Sequence, residues 1–469
     1  MNRTALFGTD GIRGRAGVSP LDPRTLTAIG HSLVGLLGAG ATVIVGRDTR
    51  ESGHWIESAL SRGVADAGGR AISVGVITTP GVAFLTRELG GDAGVVISAS
   101  HNPFYDNGIK IFSPGGQKLS DEMELAIAER LAEIRLPDDL QLPSTEVSAA
   151  SVLPADPTPS RPYVDYLSRR LTELRRSSLE DRPGHTILDG LRLVIDCANG
   201  AATAIAPLVF SQLGAAVTVI NAAPDGRNIN QQCGALHTGL LQQRVVEESA
   251  DLGLAFDGDA DRLILVDRSG RTLDGDSILF ILSTHLHRQR QLTGNRVVAT
   301  IMSNFGLELA LRNLGIDLVR TAVGDRYVLE ELLRGGGAIG GEQSGHIIFP
   351  TIGLAGDGIV TAIEVLRVIC ETGSDLVELT RGLVRTPQVL INLPVERKIP
   401  LDSIPAVREA LDDLRAELAL TGRVVVRYSG TENIVRIMIE GTSETLINER
   451  ANSLSRLLAL WLNPEGSVG

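Results

Sequence analysis

Three carboxylates stand at alternate positions in Asp257-Gly258-Asp259-Ala260-Asp261-Arg262, directly after the apolar run Leu252–Phe256. This spacing lets three carboxylates converge on one hard cation, and Mg²⁺ is favoured where a few carboxylates are completed by substrate phosphate oxygens. A calcium EF-hand shares the opening but needs Gly at its sixth position and Glu at its twelfth. Arg262 and Arg268 stand there, which excludes it. A solvated acidic turn is a poor reading, because clustered carboxylates repel one another unless neutralised. A phosphatase with Asp257 as nucleophile competes with the metal site.

A second polar loop, Ser98-Ala99-Ser100-His101-Asn102-Pro103, follows the apolar run Val95–Ile97. Open α/β sheets place their chemistry at the carboxyl ends of strands. A serine of this loop is therefore a candidate nucleophile, with His101 and Lys110 near it in sequence; a helix cap or polar turn would use the same residues. Among the 44 basic residues only three are lysines, Lys110, Lys118 and Lys398. A buried or crowded Lys sheds its proton, whereas Arg effectively does not. A chain that otherwise writes Arg has thus kept Lys110, in Asp106-Asn107-Gly108-Ile109-Lys110, where Lys chemistry matters. Lys118 stays open between chemistry and surface charge.

Three further segments complete the inventory. Gly341-Glu342-Gln343-Ser344-Gly345-His346 offers acceptors and donors at alternate positions, suited to a polyhydroxylated ligand or to a plain glycine turn. Arg427-Tyr428-Ser429-Gly430-Thr431-Glu432-Asn433, followed by Arg436, has the hydroxyls, the flexible Gly and the guanidinium fork that cradle a phosphate; a hairpin turn is the alternative. Gly8-Thr9-Asp10-Gly11-Ile12-Arg13-Gly14 presents a Gly-flanked Arg13 suited to an anion. Serine, lysine, hard-metal loop, hydroxyl-binding loop and phosphate cradle together ask for phosphoryl transfer on a sugar phosphate, with a metal polarising the phosphoryl group and a serine accepting it. No Walker A sequence is present, so ATP in a P-loop is not the expected donor.

These loops must be carried by strands. Apolar β-branched runs at Val43–Val45, Val95–Ile97, Leu193–Ile195, Leu252–Phe256, Val297–Ile301 and Ala338–Ile339 are each followed by a polar loop, and most of those loops lead into a helical pattern. Such alternation predicts an α/β fold with mixed, mostly parallel sheets. The runs fall into three pairs, which predicts three related α/β domains at residues 1–152, 153–268 and 269–385. Five prolines in Pro143–Pro162 read as a linker. A further shift at Thr386–Pro400 opens a smaller C-terminal α+β domain, 386–469. There Ile404, Val407, Leu411, Leu414 and Leu418 line one helix face, and a strand–loop–strand through Val424–Glu440 precedes a closing helix carrying Leu446, Ile447, Leu454, Leu457, Leu458 and Trp461.

Composition removes several classes. The 469 residues are 43% hydrophobic, enough for sizeable cores rather than disorder. Acidic residues outnumber basic ones 56 to 44, giving −12 with no basic block, which argues against nucleic acid as a partner. Neither a signal-peptide run nor a membrane span is expected. Cys197, Cys233 and Cys370 are scattered, fitting a reducing cytoplasm better than a disulfide framework.

Ser98–Pro103 with Asp106–Lys110, Asp257–Arg262, Glu342–His346 and Arg427–Glu432 stand in the order found in the α-D-phosphohexomutases, and the chain resembles that family from Phe7 to near Leu462. ISASHNPFYDNGIK, PDGRNINQQCGALH, ATIMSNFGLELAL, VGDRYVLE and GGEQSGHII resemble its glucosamine phosphate branch. The resemblance implies a heart-shaped, four-domain enzyme that moves a phosphoryl group between positions 6 and 1 of glucosamine phosphate. Ser100 matches the serine that carries the phosphoryl group, and a hexosamine 1,6-bisphosphate is the intermediate and activator. Asp257, Asp259 and Asp261 with phospho-Ser100 would hold Mg²⁺. Arg13 and Arg262 would assist at the phosphoryl group, with His101 and Lys110 beside it. Lys110 and His346 are the implied acid/base groups. Glu342 and Ser344 would hold sugar hydroxyls, and Arg427, Ser429, Gly430, Thr431 and Arg436 the non-reacting phosphate. A hexosamine phosphate is the expected small-molecule partner of a cytoplasmic monomer or homodimer. Two departures stand out: Tyr428 and Asn433 replace the two prolines usual in RPSGTEP, which is expected to loosen that loop, and Leu354-Ala355-Gly356-Asp357-Gly358 stands where TTGDG is frequent.

Overall fold

Strands buried on both faces read as near-continuous apolar runs, and Ala93–Ile97 and Leu252–Phe256 are buried along their whole length. The computed structural model describes residues 6–8, 10–134, 160–178, 186–429 and 433–463; most of the proline-rich linker lies outside these. The first sheet contains β1 (Ile12–Arg15), β2 (Thr42–Arg47), β3 (Arg70–Val76), β4 (Ala93–Ile97) and β5 (Asp106–Phe112), in the order β1-β5-β4-β2-β3. All five residues of β4 are buried. The second sheet orders β6 (Arg192–Asp196), β7 (Ala216–Ile220), β8 (Leu252–Phe256), β9 (Leu263–Asp267) and β10 (Thr272–Leu273) as β10-β9-β8-β6-β7. The third orders β11 (Arg296–Thr300), β12 (Asp317–Thr321), β13 (Gly340–Gly341) and β14 (Ile347–Ile348) as β12-β11-β13-β14.

One pattern underlies all three sheets. With β1 and β10 set aside as added edge strands, the first strand of each repeat (β2, β6, β11) lies between the second and the third, parallel to both, and the fourth (β5, β9, β14) runs antiparallel beside the third. The sheets are therefore mixed, with parallel centres and antiparallel edges, and the threefold α/β repetition expected from the paired runs is present in the topology. In such winding the crevice for chemistry opens at the carboxyl ends, where strand order reverses. Residues 98–105, 257–262 and 342–346 each form the turn from third to fourth strand, so three of the chemical loops occupy equivalent places. The run Ala338–Ile339 marks the third repeat two residues early, because the pairing falls on Gly340–Gly341.

The chain divides into two compact units, Met1–Met302 with Ile316–Arg381, and Ser303–Gly315 with Gly382–Gly469. The second unit carries the antiparallel sheet β15-β17-β16, from β15 (Gln388–Pro394), β16 (Gly422–Tyr428) and β17 (Ile434–Gly441). The boundary region thus contains a strand the sequence reading missed. Its alternating burial is that of an edge strand, with Pro394 at its end where no ladder donor is needed. Val407, Leu411, Leu414 and Leu418 are buried on the helix Pro405–Leu418 as expected. On the closing helix Glu444–Leu462 the buried line is Ile447, Ala451, Leu454, Leu458 and Leu462, which leaves Trp461 nearly half exposed. No helix among the described residues is long and apolar enough to cross a membrane.

Candidate active site

Ser100 sits at φ +53°, a left-handed conformation that costs a non-glycine residue about 1–3 kcal/mol. Its surroundings hold it there. The Ser100 N–H donates to Ser98 Oγ at 2.9 Å, and Ser98 Oγ donates to Asp48 Oδ2 at 2.6 Å. The Ser100 carbonyl accepts from Arg50 Nη2 at 2.9 Å and from Asn230 Nδ2 at 2.8 Å. Loops after β2 and β7 therefore clamp the loop after β4. The Ser100 hydroxyl donates to Asp257 Oδ2 at 2.7 Å. Gly258 makes that approach possible, since a Cβ there would lie 2.6 Å from the Ser100 carbonyl oxygen.

Asp257, Asp259 and Asp261 are buried, with one oxygen of each within 4.8 Å of the others. Burial and the charges of Asp261 and Asp259 push the Asp257 carboxyl well up, against Arg262. Burial also opposes the charge of Asp261, but Lys110, His346 and Arg262 hold its carboxyl well below the usual range. Asp259 is fixed from the other side by Thr79, whose hydroxyl donates to Oδ2 at 2.6 Å and whose N–H donates to the carbonyl oxygen at 2.9 Å. Oδ1 of Asp259 and Oδ1 of Asp261 are buried with no hydrogen-bond partner among the described residues. Convergent carboxylates with oxygens to spare, and a hydroxyl beside them, fit a hard divalent cation.

Lys110 is 2% exposed, with Nζ 3.2 Å from Asp10 Oδ2, 3.3 Å from Asp259 Oδ2 and 3.2 Å from Asp261 Oδ2. Burial favours the neutral amine, but Asp10, Asp259 and Asp261 outweigh it and raise the pKa well above ordinary. Lys110 thus stands here as a held cation and proton donor, not as a lysine that has shed its proton. His101 is the reverse: burial, Arg262 and Arg13 lower it to about 4. It is neutral at pH 7. The Ser100 hydroxyl proton is committed to Asp257, so His101 Nδ1, 3.1 Å from Arg262 Nη1, accepts from the guanidinium. Arg13 donates to Asp10 and, at 3.3 Å, to the Ala99 carbonyl.

In the third-sheet loop, Glu342 Oε1 accepts the Gly324 N–H at 3.0 Å, and Ser344 Oγ donates to Oε2 at 3.3 Å. His346 is buried between Asp261 and Asp325, each at 3.6 Å. Burial opposes its charge, but Asp261, Asp325 and Glu342 raise its pKa. Gly356 packs on the ring, where a Cβ would come 2.3 Å from Nε2. The residues named from three separate loops, with Arg13, accordingly form one connected network. Sequence reasoning missed Asp48, Arg50, Thr79, Asn230 and Asp325. Asp48-Thr49-Arg50 was within reach, as a charged loop separated by two residues from the buried run Val43–Val45.

The last predicted loop belongs to the second unit. Arg427 and Arg436 stand opposite each other across the β16–β17 ladder. Ser429 is buried, with its N–H donating to the Ile434 carbonyl at 2.9 Å. Gly430 and Thr431 lie outside the described residues. Tyr428, which replaces a proline, ties its strand back to Ile399: its hydroxyl donates to the carbonyl at 2.6 Å and accepts the N–H at 3.1 Å. Lys398 Nζ donates to the Ser429 carbonyl at 3.0 Å. All three lysines therefore touch a candidate loop or its supports. Tyr428→Phe is expected to lower stability by about 1 kcal/mol, read as a shift in the denaturation midpoint.

The chain matches four domain families in order, described as phosphoglucomutase/phosphomannomutase α/β/α domains I (residues 4–138), II (161–270) and III (274–386), and the C-terminal domain (390–457). It belongs to the phosphoglucomutase/phosphomannomutase family, the α-D-phosphohexomutases. The phosphoglucosamine mutase of Chlamydia felis is 44% identical over 471 residues, covering 99% of this chain and 98% of that protein. The fold also matches a phosphoglucomutase/phosphomannomutase family protein of Burkholderia thailandensis, with TM-score 0.74 at 23% identity over 100% and 99% of the chains. Aspergillus fumigatus N-acetylphosphoglucosamine mutase, in complex with GlcNAc-6P and magnesium, matches at TM-score 0.59 and 19% identity over 97% and 95%.

Proposed function

We propose that this phosphohexomutase interconverts glucosamine 6-phosphate and glucosamine 1-phosphate through a phosphoserine at Ser100, supplying an activated amino sugar for UDP-N-acetylglucosamine and cell-wall precursors. The observation that carries the reading is Ser100 Oγ at 2.7 Å from Asp257, at the edge of a three-carboxylate cluster. The identity to phosphoglucosamine mutases over nearly the whole chain supports the choice of sugar.

Asp257, Asp259, Asp261 and the Ser100 phosphate are the groups assigned to Mg²⁺, which when bound would neutralise charge on the phosphoryl oxygens. Phospho-Ser100 gives its phosphoryl group to the free sugar hydroxyl. The Oγ–P bond breaks, a sugar O–P bond forms and the hydroxyl proton passes to the protein, leaving a hexosamine 1,6-bisphosphate. After the bisphosphate turns, Ser100 Oγ takes the other phosphoryl group and the freed sugar oxygen regains a proton. His346 is assigned the acceptance of the hydroxyl proton, and Lys110, as an ammonium, the proton returned to the freed sugar oxygen. Arg13, Arg262 and His101 border the moving group. Glu342 and Ser344 hold sugar hydroxyls. Arg427, Ser429, Gly430, Thr431 and Arg436 hold the phosphate that does not react. The three free cysteines support a cytoplasmic setting, and the chain acts as a monomer or homodimer.

³¹P NMR of glucosamine 6-phosphate with Mg²⁺ and a trace of glucose 1,6-bisphosphate tests this beside mannose and glucose 6-phosphates. The anomeric phosphate signal is expected to grow fastest from glucosamine. Faster growth from another sugar moves the assignment within the family, and inorganic phosphate alone removes the mutase reading. Chelation with EDTA is expected to stop exchange and added Mg²⁺ to restore it; exchange that survives chelation would remove the metal.

A further inference from the structure

Lys118 has no part in the reaction as assigned, yet its surroundings are built. The tight turn Ser113–Gln117, closed by Ser113 N–H to the Gln117 carbonyl at 2.7 Å, brings Lys118 back into an antiparallel bridge with Phe112. Lys110 and Phe112 lie two apart on β5, so Lys118 returns beside Lys110, and both ammonium groups meet on Asp10. Lys118 then reaches further. Its Nζ is 2.7 Å from Asp325 Oδ2. Asp325 opens the helix Asp325–Gly335 directly after Gly324, whose N–H holds Glu342, and its carboxylate also faces His346.

A second pair joins the same two segments with the charges reversed, Asp121 with Arg326. A slip of one position would set Lys118 toward Arg326, so the reversed signs fix one register. A cavity of about 340 Å³, lined in part by Lys118, Met123, Asp325 and Leu329, lies beside the pairs. Charge, more than close apolar packing, joins the segments there.

We propose that Lys118 is a positioning residue. Its pair with Asp325, backed by Asp121–Arg326, latches the sugar-binding loop against the phosphoserine-bearing segment while the bisphosphate turns. The inference rests on the mutase reading above. An intermediate that escapes leaves Ser100 without its phosphoryl group, and turnover then depends on bisphosphate supplied from outside. Weakening the latch therefore raises that dependence, an effect that a merely structural role would not produce.

The test uses the full-length protein with glucosamine 6-phosphate and a titration of glucose 1,6-bisphosphate. Lys118→Met and Asp325→Asn are each expected to raise the half-saturating bisphosphate concentration by about tenfold or more. Asp325→Asn keeps the shape of the side chain and carries the test alone if Lys118→Met does not fold. An unchanged bisphosphate requirement overturns the latch, whatever happens to kcat or Tm. Where the wild-type protein makes no 1-phosphate, the mutase reading and the latch fall together; where it turns over and the variants need no more bisphosphate, the latch alone falls.

Discussion

Ser100→Ala is expected to lower kcat for exchange by at least about 10⁴-fold and to abolish labelled phosphate on the protein, while leaving the fold intact. The hydroxyl lies at the carboxylate cluster, 2.7 Å from Asp257, whereas the Thr79 hydroxyl is engaged as a donor to Asp259 Oδ2 at 2.6 Å. No neighbour replaces it: His101 has its Nδ1 occupied by Arg262, and Lys110 is held as an ammonium by three carboxylates. The stability cost is modest. One buried hydrogen bond disappears, worth about 1–3 kcal/mol where the acceptor is left without a donor, and Ala inherits the same left-handed backbone. Phosphoprotein labelling from glucose 1,6-bisphosphate and ³¹P exchange rates measure the two effects separately. Retained exchange would mean that another group carries the phosphoryl, and Asp257 would be the first to replace in turn.

The loops that bear chemistry were legible because each breaks a buried apolar run with several polar residues at once. Asp257–Arg262 after Leu252–Phe256 is the clearest, since nothing but a cation or a nearby ammonium makes three such carboxylates tolerable. What holds those loops was much less legible. Asp48, Thr79, Asn230 and Asp325 come from other repeats or from 50 and more residues away in sequence, and Asn230 and Thr79 act in part through a backbone carbonyl and an N–H that no side-chain pattern advertises. Lys118 shows the boundary between the two cases. Its rarity as a lysine was visible, but its partners Asp10 and Asp325 meet only when the first and third repeats are folded together. Tyr428 adds a contact that the missing proline did not announce, a hydroxyl bonded twice to Ile399, while residues 430–432 of the loop expected to loosen lie outside the described residues. Trp461 was misplaced for a simpler reason, since the periodicity of the closing helix carries its core line one residue past it, to Leu462.

Arg50→Met is expected to remove about 3–5 kcal/mol of stability and, in protein that remains folded, to slow phosphorylation of Ser100 by about 100-fold. The reason lies in the hydrogen-bond count. The guanidinium is fully buried and uses all five of its N–H donors: Nε on Asp48 at 2.8 Å, Nη1 on the carbonyls of Pro103 and Asp106, and Nη2 on those of Ser100 and Asn102, both at 2.9 Å. Methionine fills the volume of the stem but supplies no donor. Four carbonyls lose the guanidinium, those of Ser100 and Asn102 keeping only the Asn230 amide and that of Pro103 only the Asp106 N–H, and Asp48 keeps a buried charge with only the Ser98 hydroxyl and the backbone N–H of residue 50 to stabilise it. A native stability of about 5–15 kcal/mol leaves little margin for that loss. The left-handed Ser100 suffers most, because Arg50 and Asn230 are the two side chains that pin its carbonyl. Arg50→Lys should recover little, since one ammonium with three donors cannot span four carbonyls and a carboxylate arranged around a planar fork. A midpoint shift with normal Ser100 labelling would make Arg50 a stability residue only. Slow labelling in both variants, at a temperature where each is folded, identifies the guanidinium as what keeps the nucleophile in its reactive conformation.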